Sequence, residues 1–286
     1  MRKLICFFLI IMSLSYSLSA QMESEGESLY SVNEGTLIGV GSSNVRNTYF
    51  SNTKTKYNGL GLRMLNERMK ITSLANNRIS SQRMLNLELS FADNAAGTVN
   101  VFSGFIDYSY GLHYRFHPQE NFKILTGASV RGMLGFMYNT QMANNTTTLH
   151  VDVDLNASAA AIYSFQIKNY PLIVRYQVDI PLMGALFMPK YGQSYYEIFG
   201  LENTADIVSY SSFHNKFAIR NYLTVDFPLG NLIVRTGYLG NAYYTHVNDI
   251  KVHDVSHSFM LGVVREFVSF GGKRLKNKTL KESAYY

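Results

Sequence analysis

The chain has 286 residues, with 26 Lys and Arg against 20 Asp and Glu, for a formal charge of +6. So mild an excess gives no argument for nucleic-acid binding, and a single cysteine rules out a disulfide framework or a cysteine metal site within the chain. Aromatic usage is lopsided, with 21 Tyr and 18 Phe but no Trp, which suits β structure at an interface that buries the ring and wets the hydroxyl.

The N-terminus has the layout of a secretory signal. Arg2 and Lys3 precede the unbroken apolar run Leu4–Met12, and small or polar residues follow to Ala20. Cleavage is expected after Ala20, with Ser19 as the neighbouring choice because Leu18 is large for its place. The apolar core is shorter than the roughly 20 residues of a spanning helix, so an uncleaved anchor is the lesser reading. Cys6 leaves with residues 1–20, and the charge falls from +6 to +4 with Arg2 and Lys3. No later run is apolar enough for a transmembrane helix. An exported chain of this kind can still enter a membrane as a closed barrel.

Beyond the signal, nearly every segment alternates apolar and polar residues, the pattern of strands with two unlike faces. Thr36–Phe50 and Leu60–Met69 show it weakly. Arg83–Phe91 sets Leu85, Leu87, Leu89 and Phe91 against Asn86, Glu88 and Ser90. Ser103–Phe116 opposes Ile106, Tyr108, Tyr110, Leu112, Tyr114 and Phe116 to Ser103, Asp107, Ser109, His113 and Arg115. Phe122–Tyr138 follows, and then the longest run, Leu149–Phe165. Its odd positions are all apolar, and its even positions are polar except Ala160 and Ile162 near the end. Leu172–Ile180, Ile219–Phe227, Leu232–Thr245 and Phe259–Phe267 complete the series. Such runs exceed the roughly 5–6 residues of an ordinary strand, and reach the roughly 9–11 that cross a bilayer.

The connections set the topology. Ser73–Asn77, His117–Asn121, Lys168–Tyr170 and Pro228–Asn231 are short. They alternate with the mostly longer stretches Ser51–Lys56, Asn94–Asn100, Thr140–Thr148, Met188–Asn215 and Asn248–Val252. Short periplasmic turns alternating with longer outer loops is the rhythm of an up-and-down antiparallel transmembrane β-barrel. The count is ten strands, or twelve if Gln193–Phe199 and Ile207–Phe213 make a further membrane hairpin, with an external hairpin preferred there. Expected boundaries are residues 1–20 for the signal, 21–33 for an N-terminal periplasmic segment, 34–267 for the barrel and 268–286 for a basic periplasmic tail.

A soluble two-sheet β-sandwich, acting as a periplasmic binding protein, is the rival reading. Strand length counts against it, and so does the polar face. In a barrel lumen Asp107, Arg115, Arg131, Asp152, Asp154, Arg175, Asp179, Arg220, Asp226 and Arg235 can neutralise one another.

Five segments carry a resemblance: Gly61–Ile71 (GLRMLNERMKI), Ser109–Phe116 (SYGLHYRF), Ile167–Val178 (IKNYPLIVRYQV), Asp179–Phe199 (DIPLMGALFMPKYGQSYYEIF) and Ser256–Phe267 (SHSFMLGVVREF). Together the chain resembles a family of exported proteins of Bacteroidetes-type bacteria known as a domain of unknown function, from about Thr36 to Phe267. The resemblance implies an outer-membrane β-barrel, with no activity, ligand or catalytic residue attached. Phe267 would be the aromatic that ends the last strand, although nineteen residues follow it.

Few residues suggest chemistry. In HDVSH (His253–His257), a hydroxyl nucleophile would need a base within hydrogen-bond reach. Strand alternation instead puts His253, Val255 and His257 on one face, and Asp254 and Ser256 on the other. His246, His253 and His257, with Asp249 or Asp254, have the ligand types of a zinc or copper site, yet rim histidines are the simpler reading. Asp152 and Asp154 read as lumen carboxylates facing arginines rather than as an acid–base or calcium pair. The tail cations Lys273, Arg274, Lys276, Lys278 and Lys281 read as a solvated terminus, with anionic headgroups or peptidoglycan as alternative partners. Asn144–Thr146 and Asn277–Thr279 match the glycosylation acceptor pattern by chance.

The sequence therefore predicts a monomeric outer-membrane barrel with a structural or narrow, plugged transport role. No catalytic, cofactor-binding or metal-binding residue is assigned, and no cofactor. Its expected partners are outer-membrane lipid and the barrel-assembly machinery, with no nucleic acid. A rim hydrolase acting on lipid or peptide, using His253 with Ser256 or His257, is the alternative.

Overall fold

A computed structural model describes residues 31–50, 55–142, 146–229, 232–270, 273–275 and 285. The expected signal peptide and most of the N-terminal periplasmic segment lie outside these residues, as do Asn144 and most of the basic tail.

Long strands follow one another through the chain: β1 (Ser31–Asn47), β2 (Tyr57–Ile71), β3 (Ile79–Asn94), β4 (Asn100–Gln119), β5 (Phe122–Asn139), β6 (Thr147–Ile167) and β7 (Tyr170–Phe187). A short helix α1 (Tyr195–Phe199) and a short strand β8 (Val208–Ser212) come next. Then follow β9 (Lys216–Leu229), β10 (Leu232–Val247), β11 (Ile250–Phe270) and the three-residue β12 (Lys273–Leu275). Each long strand pairs antiparallel with its neighbours, and β7 pairs with β9 past β8. The first and last long strands then close the ring, Ser31–Asn47 against Val252–Val268. The result is an all-β, closed, antiparallel barrel of ten strands. Closure leaves no edge strand around the ring, which is what lets so apolar an outer wall exist without further pairing.

Alternation decides which face goes where. Outward positions on β1, β2 and β11 include Ile38, Leu60 and Phe259, at 67%, 71% and 60% exposure, while their neighbours Leu37, Leu65 and Met260 are fully buried. The same rule turns Leu87, Leu89 and Phe91 outward on β3 and Val130 and Leu134 outward on β5. Close approach at the closing seam needs small residues. A Cβ on Gly41 would collide with the His257 carbonyl oxygen of β11.

Several connections differ from the sequence reading. Gln193–Phe199 is not a strand: α1 is capped by Ser194, whose hydroxyl accepts from the Glu197 N–H at 3.2 Å. β8 pairs only with the top of β7, so the Met188–Asn215 segment is a loop that carries α1 and one short strand folded back on β7 rather than a hairpin of its own, and the ring stays at ten. Asn248–Asp249 is a two-residue turn with φ of 52° and 63°, like Lys168–Asn169 at 48° and 68°. Both fit the left-handed turns that match strand twist. The alternation of short and longer connections therefore breaks at the last one, and also early in the chain, where seven residues (72–78) join β2 to β3 and five (95–99) join β3 to β4. The barrel's limits also move outward, from Ser31 to Phe270, because the ladder between β1 and β11 starts earlier than the alternation showed.

The tail departs most from expectation. Lys273–Leu275 pairs back on Val268–Phe270, and Tyr285 is fully buried inside the barrel rather than solvated.

A bulge shapes one part of the wall. Asn156 faces Pro181 while Leu155 faces Met183, so Leu182 is an extra residue on β7. Below the bulge β7 pairs with β9 (Ile173–Asp179), and above it with β8 (Met183–Phe187). Proline, lacking an N–H, is tolerated at such a break.

Candidate functional site

The lumen holds most of the polar chemistry, arranged in layers from the turn end, where β1 begins, to the loop end. At the turn end Glu67 of β2 accepts from both terminal guanidinium nitrogens of Arg175 at 2.5 and 2.8 Å, from Arg235 at 2.9 Å and from Gln82 at 2.6 Å. Arg235 grips Asp226 through a second pair of bonds at 2.6 and 2.7 Å. Arg175, Arg235 and Glu67 are all fully buried, so this two-pronged pairing is what makes burial of the charges tolerable. The Tyr285 ring lies 4.8 Å from the Arg175 guanidinium and 4.3 Å from that of Arg235, and its hydroxyl bonds Thr224 at 2.9 Å. Beneath it sits an apolar floor of Met69, Ile71, Leu125, Ala160, Ile162 and Ile173. Ala160 and Ile162, the two lapses in the β6 alternation, belong to that floor.

In the middle layer Arg220 bridges Asp107 at 3.0 Å and Asp179 at 3.1 Å, and Arg131 approaches Asp107 at 3.4 Å. His113 bonds the Ser158 hydroxyl at 2.9 Å, and Ser158 donates to Asp179 at 2.5 Å. Higher up, Lys216 Nζ lies between Asp152 at 2.7 Å and Asp154 at 2.8 Å, and the Tyr243 hydroxyl donates to Asp152 at 2.8 Å. The partner of this acid pair is thus a lysine and not the arginines expected from sequence. The Arg115 guanidinium donates to the Asn77 carbonyl of a turn. Between the layers lies a cavity of about 50 Å³ lined by Asp107, Arg131, Met133, His150, Arg220 and Tyr243 among others, room for only a few waters.

The loop end is closed by a second apolar cluster. Tyr49, Phe50, Tyr57, Met137, Leu186, Met188 and Ile250 pack across the mouth. The Tyr49 hydroxyl donates to the Gln193 carbonyl at 2.9 Å, and the Tyr195 hydroxyl of α1 accepts from the Leu149 N–H at 2.6 Å. Burial pushes the Tyr195 hydroxyl up to about 12. The loop beyond β7 therefore packs on the mouth.

The sequence candidates at the rim separate as strand alternation requires. Ser256 points inward and accepts from Arg63 at 2.8 Å, and Asp254 lines the cavity, while His257 faces outward and accepts or donates with Tyr238 at 2.5 Å. His253 is also outward, with its ring edge-on to Tyr244 at 5.0 Å. The structure thus does not bring His253 or His257 onto Ser256. His246 stands opposite Lys251 in the β10–β11 ladder, and no group of three metal-ligating side chains occurs among the described residues. Sequence reasoning missed Glu67, Lys216, Tyr243 and Tyr285. Alternation alone places Glu67 inward beside Leu65, but nothing local marks the other three.

A family model described as Protein of unknown function (DUF3316) matches residues 5–274. No curated protein matches the chain. Among solved structures, the outer membrane protease OmpT from Escherichia coli is similar at 7% identity, covering 86% of this chain and 100% of that one, with a TM-score of 0.44. The transport unit of the autotransporter AIDA-I from Escherichia coli is similar at 10% identity, with 87% and 93% covered and a TM-score of 0.42. The translocator domain of the autotransporter NalP from Neisseria meningitidis gives 9% identity, 92% and 97% covered, and a TM-score of 0.36.

Proposed function

The chain belongs to the family described as Protein of unknown function (DUF3316), and on that premise we propose that it is an outer-membrane barrel with a closed lumen and a non-enzymatic, structural role. One observation carries the reading: the lumen is sealed at both ends by apolar clusters around a charge-neutralised interior. A cavity of about 50 Å³ is far from a continuous water path, as expected when side chains fill a barrel of this size. The outward band of Ile38, Val40, Leu60, Leu62, Phe259 and Leu261 fits lipid tails and would aggregate in water. The turn end, where β1 starts and β11 finishes, faces the periplasm, and the long loop beyond β7 faces outside. Residues 1–20 act as the export signal. The barrel works as a monomer, inserted by the assembly machinery and surrounded by lipid.

Fractionation of cells, gel migration with and without heating, and planar-bilayer recording test this together. Heat-modifiable protein in the outer membrane with no steady conductance is the expected outcome. A heat-insensitive periplasmic protein would overturn the membrane assignment, and steady openings would overturn the closed lumen.

A further inference from the structure

The outer wall at the loop end carries a row of side chains that the lumen does not use. Arg46 of β1 stands directly opposite His253 of β11. His253 in turn stands opposite Tyr244 of β10, and Tyr244 opposite Phe217 of β9. On the other side Val45 pairs with Tyr57, which places Lys56 beside Arg46. Lys251 lies two residues from His253 on the same outward face, and it is exposed. Arg46, Lys251 and Lys56 all act electrostatically on His253. Directly opposed residues sit about 5 Å apart at Cβ, so three cations and an imidazole gather on one patch.

Among the described residues, nothing neutralises them. Among the described residues none of Arg46, Lys56 and Lys251 makes an ion pair, in contrast to Lys190, which meets Asp206 at 3.0 Å. Arg46 Nε is buried without a hydrogen-bond partner. Of the carboxylates at this rim, Asp93 on β3 is a diagonal neighbour of Lys56 across Asn58 but makes no ion pair with it, Asp254 points inward, and Asp249 is in the turn. Further down the same wall, past the Asn44–Val255 and Ser42–His257 rows, stand Val40, Ile38 and Phe259, exposed and apolar. Beside it the Phe217 and Tyr244 rings stack at 6.4 Å, at the level where aromatic side chains mark a lipid interface.

We infer that the outer wall of β1, β2 and β11 at the loop end, formed by Lys56, Arg46, His253 and Lys251, is a binding site for the phosphate-bearing headgroup of an outer-leaflet lipid. The inference rests on the membrane reading above. Its chemistry is specific: guanidinium and ammonium groups match phosphate oxygens, the imidazole adds a donor, and the apolar wall below receives the acyl chains. A soluble anion would gain the first contacts but not the last.

The test uses purified full-length barrel in neutral detergent. It compares binding of lipid A carrying its phosphates, the same lipid dephosphorylated, phosphatidylglycerol, and inorganic phosphate, by native mass spectrometry. The barrel should retain phosphorylated lipid A, and the variant Lys56→Gln/Arg46→Gln/Lys251→Gln should bind it at least about tenfold more weakly, since each cation near an anionic surface contributes measurably. The dephosphorylated lipid should bind both proteins equally weakly. Lys190→Gln should change nothing, and single Arg46→Gln serves if the triple variant does not fold. Equal retention of phosphorylated and dephosphorylated lipid by heat-modifiable wild-type protein would overturn the site while leaving the barrel reading intact. Inorganic phosphate that displaces the lipid at micromolar levels would overturn the lipid as occupant, as would phosphatidylglycerol and lipid A binding alike in wild type and triple variant. Protein that fails to insert into vesicles would instead sink the membrane reading.

Discussion

Glu67 of β2 and Arg235 of β10 meet inside the barrel at 2.9 Å, although 168 residues separate them in the chain. Arg175 holds the same carboxylate from β7, so one acid ties three strands from different parts of the ring. Replacing it takes the paired carboxylate from the buried Arg175 and one of two from Arg235, which keeps Asp226. Glu67→Ala is expected to cost about 3–5 kcal/mol, with Glu67→Gln milder because an amide still accepts from one arginine. Urea titration of folded protein in vesicles, followed by gel migration, reads the shift. Equal midpoints for wild type and Glu67→Ala would contradict the account.

Tyr285 fills the space between Arg175 and Arg235 over an apolar floor. Tyr285→Phe keeps the ring and loses the Thr224 hydrogen bond, worth about 1 kcal/mol. Tyr285→Ala empties the seat and should cost about 3 kcal/mol or more. It should also raise the frequency of brief openings in planar bilayers, because the turn-end seal is breached. Indistinguishable records from the two variants would mean that the seat does not seal the turn end.

Lys216 is the counter-ion of an acid pair two residues apart on β6. Lys216→Met should destabilise by several kcal/mol, since two buried carboxylates then repel with no cation between them. Adding Asp154→Asn to Lys216→Met should restore part of the loss. A double-mutant cycle measures that coupling, and simple additivity would show that the three do not act as a unit.

The loop beyond β7 offers a pH test outside the membrane wall. Burial raises the Tyr195 hydroxyl to about 12 from an ordinary value of 10.0. Below pH 10 the folded and unfolded states are both protonated and this group confers no pH dependence. Between about 10 and 12 the unfolded loop loses its proton and the packed loop keeps it. The group's contribution is therefore complete below 10 and is lost as pH rises through about 12. Absorbance of tyrosinate should show a late step that Tyr195→Phe removes. A Tyr195→Phe titration that overlays wild type would exclude packing of this tyrosine on the Leu149 amide.

Much of the fold was legible because strand period is a strong signal. Ile106 to Phe116 and Leu149 to Phe165 each assign a greasy and a polar face before any coordinate is seen, and Asp107, Asp179 and Arg220 do meet in the lumen. What alternation cannot supply is partner identity across the ring. For Asp152 and Asp154 alternation suggests arginines, whereas the cation between them is Lys216, the first residue of its strand after a long loop. Tyr285 carries no periodic signal at all, being one residue near the end of a basic segment. The Asn248–Asp249 turn is readable in principle, as both residue types tolerate left-handed backbone; Lys251 just beyond it blurs its C-terminal limit. At the rim, alternation separated His253 from Ser256 correctly, yet the cation row depends on register between β2, β1 and β11, which sequence does not give.

The pairing of β1 with β11 also sets an order in time. Asn47 and its partner Val252 are 205 residues apart in the chain, and Ser31 and Val268 farther still. Until β11 docks, β1 has one free flank, and a chain that lacks residues 252–268 never supplies the other. Closing so long a loop is slow relative to forming the hairpins in between. The completed ring is thus a built-in check on full-length product: a truncated chain is left with an open strand edge that a protease or a chaperone can recognise.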